Sequence, residues 1–308
     1  MLSRSRADRA AVLPHPRAAG PEARRLVMVS SWLMQAGLPR LRILPLEGLI
    51  LHEEHDNQRA LPLVEKLRAQ GILRNPPVVM PLKDGTDRYM VLDGANRVTS
   101  LREMEFPHLV AQVVETSDPN VSLRTWKHLV WNMKPEEMLA GLRGIEDLSL
   151  EEVDRHRSRD VPDHAPLQVQ LADDRVYLGQ TPREISGQVQ VLRQVVDVYK
   201  DRASMDRTSQ TLIETFKDLH PALTALLIFP RFEIPTVLKL AGRGSVLPPG
   251  ITRFTASPRA LHLNYPLHEL SNGKPLAYKQ AYLERWIEDR VASKGVRHYA
   301  EATYLFDE

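Results

Sequence analysis

"VLDGANRV", residues 91–98, decides how this 308-residue chain is read. Val91 and Leu92 close an apolar run, Asp93 and Gly94 interrupt it, and the stretch that follows brings Val98, Leu101 and Met104 round at helical spacing. A helix that opens directly after a strand presents unpaired N–H groups and the positive end of its dipole, so residues 94–97 form a seat for an anion. Phosphate is the natural guest. Gly94 lets the backbone approach closely, Arg97 can fork two hydrogen bonds onto phosphate oxygens, and Asn96 adds a neutral donor. Asp93 would repel bound phosphate unless a divalent cation lay between them, which points to Mg2+. The alternative stands beside it: Asp93 caps the helix and Arg97 pairs with a surface acid.

Working outward, "LRILPL" (41–46) reads as a strand and "LILHEEHDN" (49–57) as a polar loop. "ALPLVEKLRAQGIL" (60–73) reads as a helix with Leu63, Val64 and Leu67 inward, Pro62 in its first turn and Gly71 at its C-terminal cap. "PPVVMPL" and "RYMVLD" are strands joined at the Asp84-Gly85 turn, "ANRVTSLREM" is a helix and "HLVAQVVE" a further strand. Beyond residue 116, "RTWKHLVWNM" and "PEEMLAGLRG" look helical, and the polar "RHRSRDVPDHAP" (155–166) is a junction. Then come a hairpin in "LQVQLADDRVYLG", an amphipathic helix in "ISGQVQVLRQVVDVYK" and a buried strand in "ALTALLIF". A short helix, a glycine-proline loop and an extended segment follow in 235–254, and a last helix covers 276–295. The expectation is a mixed α/β chain: a basic arm (1–40), a first domain (41–155) and a second, smaller α/β domain (156–308).

Composition narrows the chemistry. With 43% hydrophobic residues the chain can fill a core, and no run approaches the ~20 apolar residues of a membrane span. Zero cysteine excludes disulfides, thiolate nucleophiles and Cys-ligated metals. The formal charge is only +2, and seven arginines crowd into residues 1–40, so no basic folded face speaks for nucleic acid. A cytoplasmic location is expected. In "LHEEHD" (51–56), Glu53 and Glu54 are candidates for a general base, since a loop there can meet the 93–97 turn at one sheet rim. A solvated acidic loop is the bland reading. His52 and His55 lack the spacing of a helical zinc motif.

The run from Pro45 to Glu115 resembles the ParB/sulfiredoxin-like domain in strand order, in the "LRNPPVV" entry and in the D-G-x-x-R loop. Sulfiredoxin relies on a cysteine, which this chain lacks. ParB proteins join a CTP-binding clamp to a helical DNA reader, whereas residues 117–308 show hairpin and α/β patterns. The free serine kinase group fits best. Its "HE" pair maps onto His52-Glu53, its "DGHHR" loop onto Asp93-Gly94-Ala95-Asn96-Arg97, its "TW" element onto Thr125-Trp126, and its "TRH" element onto Thr252-Arg253-Phe254.

That resemblance implies an enzyme that moves a phosphoryl group from a Mg-nucleotide, ATP or ADP, to free L-serine, giving O-phospho-L-serine. Glu53 would be the base and Asp93 a metal or orienting carboxylate. Gly94, Ala95, Asn96, Arg97 and His52 would lie on the nucleotide side. Thr252 and Arg253 would hold the amino acid, with Trp126 as a wall. Ala95, Asn96 and Phe254 depart from the family pattern by replacing histidines. No membrane or nucleic-acid partner is implied, and a homodimer is the assembly considered. The rival reading is a ParB-like nucleotide-binding, CTP-hydrolysing DNA-binding regulator.

Overall fold

The computed structural model describes residues 37–54, 60–154 and 167–299. Most of the basic arm, His55 and the 155–166 junction lie outside the described residues. Among the described residues, no helix is long and apolar enough to cross a membrane.

The first sheet is built by β1 (Leu41–Pro45), β2 (Leu49–Leu51), β4 (Val78–Pro81), β5 (Tyr89–Asp93) and β6 (His108–Val113), in the order β1-β6-β4-β5-β2. Helix α1 (Ala60–Gln70) precedes the two-residue β3 (Ile72–Leu73), and α2 (Ala95–Glu103) follows β5. As expected, α1 buries Val64 and Leu67, and Gly71 ends it at φ +64° with its N–H on the Leu67 carbonyl. β4 and β5 form the expected antiparallel pair, with Met80 opposite Met90.

Residues 49–51 are not loop but a short strand, parallel to β5 with Leu51 opposite Val91. Three residues are too few to show a period, and only β5 supplies the ladder that makes them a strand.

The second body begins with β7 (Val121–Thr125) and β8 (Lys127–Trp131), where a helix was expected from "RTWKHLVWNM". β8 lies between two antiparallel partners in the sheet, and its Leu129 and Val130 are buried there. The aromatic and β-branched residues of this run suit a pleated, half-buried surface better than a helix. Then come α3 (Pro135–Arg143), β9 (Ser149–Val153), β10 (Leu167–Leu171), β11 (Val176–Gln180), α4 (Ile185–Tyr199), β12 (Ser204–Thr208), α5 (Glu214–Lys217) and β13 (Leu223–Ile228). Their strands form a six-stranded sheet in the order β12-β8-β13-β10-β11-β9. Val189, Leu192, Val196 and Tyr199 of α4 are buried, as their helical spacing predicted.

Helix α6 (Ile234–Gly242) leads through the 243–251 loop into β14 (Thr252–Ala256), which pairs with β7 as a two-stranded ribbon. β15 (Tyr265–Pro266) pairs with β3 and precedes α7 (Leu267–Ser271) and α8 (Leu276–Ala292). One apolar cluster runs from Met80, Met90 and Leu92 through Leu123 and Val130 to Val169, Leu192 and Leu227, so both sheets share a core. The mixed α/β architecture matches the sequence reading. Residues Pro39–Leu283 form one unit. From Glu284 the chain belongs to another, where Arg290 lies over the Trp286 ring at 4.6 Å.

The strand-to-helix turn depends on Gly94, at φ +95°, where an added Cβ would sit 2.8 Å from the Pro77 Cβ. Gly94→Ala is therefore expected to destabilise the fold by about 1–3 kcal/mol. Gly85→Ala, at φ +85° but with open space around it, should cost less, and thermal unfolding of the two variants checks the difference.

Candidate active site

β2 and β5 run side by side in the same direction, so their C-terminal ends open on one rim. The register that sets Leu51 beside Val91 brings His52 and Glu53 out alongside Leu92 and Asp93. Loops at the carboxyl ends of parallel strands are where open α/β sheets place their ligands.

The backbone of 52–54 is zipped to the 243–251 loop: the Leu247 N–H donates to the His52 carbonyl at 2.8 Å and the Glu54 N–H to the Leu247 carbonyl at 2.9 Å. This fixes where Glu53 points. Its Oε2 accepts from the Gly250 N–H at 2.9 Å, and its Oε1 faces both the Thr252 N–H, at 2.6 Å, and the Thr252 hydroxyl. Glu54 turns the other way and pairs with Arg193, whose guanidinium also donates to the Val246 carbonyl.

His52 is buried, with Nδ1 2.6 Å from the Val91 carbonyl and Nε2 2.8 Å from the Thr252 hydroxyl. Burial lowers its pKa, against the opposing pull of the Glu53 charge and the Val91 carbonyl. Phe254, at the position where the family pattern has a histidine, sets its ring edge-on against the His52 ring at 5.1 Å.

The cradle lies on β5 and α2. Gly94 is the N-cap, with no side chain capping the helix, and Ala95, Asn96 and Arg97 form its first turn. Their N–H groups are those an α-helix leaves without an internal acceptor. Arg97 donates to the Asn75 carbonyl at 2.8 Å and to Asp93 Oδ2 at 3.0 Å. A second guanidinium, Arg259, reaches the same Oδ2 at 2.8 Å. Burial pushes the half-exposed Asp93 carboxyl upward, but Arg97 and Arg259 outweigh it and hold the group below the usual carboxylate range. Among the described residues there is no cluster of three His, Asp or Glu that would cage a metal. A single carboxylate such as Asp93 is enough protein for an Mg2+ ion whose other ligands are phosphates and water.

Thr252 and Arg253 are neighbours on β14, opposite Thr125 and Arg124 of β7. Strand alternation sends their side chains to opposite faces. Thr252 goes to Glu53 and His52, whereas Arg253 stacks on the Trp126 ring with its guanidinium 4.3 Å from the centroid. The Trp126 backbone N–H donates to the Ile251 carbonyl at 3.0 Å, which ties this stacked pair to the clasp around Glu53.

The structure thus joins His52, Glu53 and Thr252 in one group, Asp93 to Arg97 in a second, and Trp126 with Arg253 in a third. Sequence reasoning missed four contributors: Gly250, Arg259, Arg207 and His128. Gly250, at φ +77°, left a signal in the Pro-Pro-Gly run; Arg259 stands 166 residues from Asp93 and left none.

No family profile matches the chain. By sequence it is similar to the ATP-dependent L-serine kinase SbnI of Staphylococcus aureus, 24% identical over 279 residues, covering 87% of this chain and 97% of that protein. It is 33% identical over 84 residues to the ATP-dependent L-serine kinase of Staphylothermus marinus, covering 27% of this chain and 33% of that one. Among solved structures, SbnI with a C-terminal truncation superposes with a TM-score of 0.65 at 22% identity, over 82% of this chain and 97% of that one. A free serine kinase in complex with AMP gives 0.62 at 16% identity, over 75% and 93%. The chain has the fold of the free serine kinases. These superpositions cover 82% and 75% of the chain, more than the first domain alone spans.

The second sheet braces the clasp through His128 of β8, whose Nε2 lies 2.9 Å from the Gly250 carbonyl and whose Nδ1 lies 2.6 Å from the Tyr199 hydroxyl. A carbonyl can only accept, so Nε2 carries the proton and Tyr199 donates to Nδ1. Burial lowers the ring's pKa from 6.5 to about 4, with Arg207 adding to it and the Gly250 bond opposing. Because the folded value lies below the unfolded one, this stability is complete above pH 6.5 and lost as pH falls towards 4. The loss should reach about 3 kcal/mol, and His128→Gln should flatten that part of the stability–pH curve measured by urea unfolding.

Proposed function

We propose that the chain is a kinase that transfers the terminal phosphoryl group of a Mg-nucleotide, ATP first among the candidates, to the hydroxyl of free L-serine, giving O-phospho-L-serine. The observation that carries this reading is the shared rim: a clasped carboxylate, Glu53, leaves β2 beside the anion seat that β5 and α2 present. The names of the similar proteins support the acceptor and the donor. The first sheet supplies the nucleotide side, and Trp126 and Arg253 supply the amino-acid side.

On this reading the N–H groups of residues 95–97 and the helix dipole hold phosphate oxygens. Arg97 is already braced against Asn75 and Asp93, so it shapes the seat as much as it binds. Arg259 is the second cation there. Its Nε is buried without a hydrogen-bond partner among the described residues, a donor that a phosphate oxygen would satisfy. Bound Mg2+ would neutralise phosphate charge, with Asp93 as its protein ligand. Glu53 takes the proton as the hydroxyl oxygen attacks. Arg253, held flat by Trp126, faces the serine carboxylate.

Two variants test this. Glu53→Gln should lower O-phosphoserine formation at least about 100-fold while nucleotide binding persists, read by mass detection of product and by nucleotide titration. Wild-type turnover in the variant would remove Glu53 as the base. Arg259→Ala should raise the KM for nucleotide roughly tenfold with the KM for serine little changed, since a charged hydrogen bond is worth about 1.5–3 kcal/mol.

A further inference from the structure

Behind Glu53 lies a chain of three contacts: the Val91 carbonyl to His52 Nδ1, His52 Nε2 to the Thr252 hydroxyl, and that hydroxyl to Glu53 Oε1. Each contact needs one proton to be a hydrogen bond. The Val91 carbonyl can only accept, so Nδ1 must carry a proton. In a neutral ring Nε2 is then an acceptor, so the single Thr252 hydroxyl proton can serve either Nε2 or Glu53 Oε1. Whichever it serves, the other contact is left with no proton between its two atoms. A neutral His52, a threonine and an ionised Glu53 bring two protons to three contacts.

Resting on the kinase reading above, we infer that His52 and Thr252 are positioning residues for the base: the chain they form with Glu53 is one proton short, and the proton released by the serine hydroxyl completes it. In the transfer the serine O–H bond breaks and its oxygen forms the new bond to phosphorus. The bond from phosphorus to the nucleotide oxygen breaks, and its electron pair leaves with the nucleotide. The proton passes to the Glu53 carboxyl, where a proton on Oε1 donates to Thr252, Thr252 to His52 Nε2, and Nδ1 to Val91.

The surroundings keep the chain short of that proton until substrate arrives. Burial favours the neutral ring. Phe254 covers one side of it. On β5, Asp93 follows Val91 by two residues and is tied to Arg97 and Arg259. Arg207 of β12 lies across Gly250, where an added Cβ would meet its guanidinium, and Arg253 turns away to Trp126. Among the described residues, Glu53 is the charged group that acts on the ring.

The test has an arm that needs no turnover. In histidine-labelled protein at neutral pH, nitrogen NMR should show His52 neutral with its proton on Nδ1. The Nε2 signal should move in Thr252→Val and return in Thr252→Ser. A proton on Nε2, a charged ring at neutral pH, or an unmoved signal in Thr252→Val would overturn the proposal. In turnover, Thr252→Val and His52→Asn should each lower kcat about 10–100-fold with the nucleotide KM nearly unchanged, and Thr252→Ser should restore most of it. The dependence of rate on the deuterium fraction of the solvent should be curved in wild type and straight in Thr252→Val. Wild-type kcat with an unaltered curve in that variant would sink the chain's role. A wild type that makes no phosphoserine despite the expected NMR would instead overturn the kinase reading, and with it serine as the proton's source.

Discussion

The structure turns on one clasp: the Glu53 carboxylate held by the backbone N–H groups of Gly250 and Thr252. A carboxylate drawn partly out of water is costly unless its oxygens are hydrogen-bonded, and here donors nearly 200 residues away supply those bonds. The clasp sets the direction of the acid and joins the first sheet to the loop that ends the second body. Without it, Glu53 would be another solvated residue in a polar loop.

Much of the second body can be understood as support for that loop. His128 holds the Gly250 carbonyl, Trp126 holds the Ile251 carbonyl, and β7 pairs with β14 just beyond. Gly250 takes a positive φ that favours glycine, and the Arg207 guanidinium lies against it. The region where a ParB-like regulator would carry a helical DNA reader is occupied by a six-stranded sheet. The anion seat, in contrast, is assembled locally by Pro77, Gly94 and the first turn of α2, with Arg259 as its distant member.

What was legible in the sequence follows from range. The β5–α2 turn could be read because its signals are local: an apolar run, a glycine, then helical spacing. α1, the β4–β5 pair and α4 were legible for the same reason. β2 was not, since three residues have no period and its strand character comes from β5. The run 124–133, which holds β8, reads as helix because its aromatic and apolar residues fall at spacings that fit either period, and the flanking strands decide between them. Glu53 and Glu54 could not be told apart by sequence pattern; the structure sends one to Gly250 and Thr252 and the other to Arg193. Thr252 and Arg253 are adjacent in sequence, which by itself does not say that they share neighbours. Alternation along β14 gives them separate neighbours.

The central claim is that the clasped acid and the anion seat serve one reacting pair. A crystal structure with Mg2+, a non-hydrolysable ATP analogue and L-serine tests it most directly. The terminal phosphate is expected over residues 94–97, with the serine hydroxyl between it and the Glu53 carboxylate, within about 3–3.5 Å of the phosphorus. Serine or nucleotide bound away from that rim, with Glu53 facing neither, would contradict it.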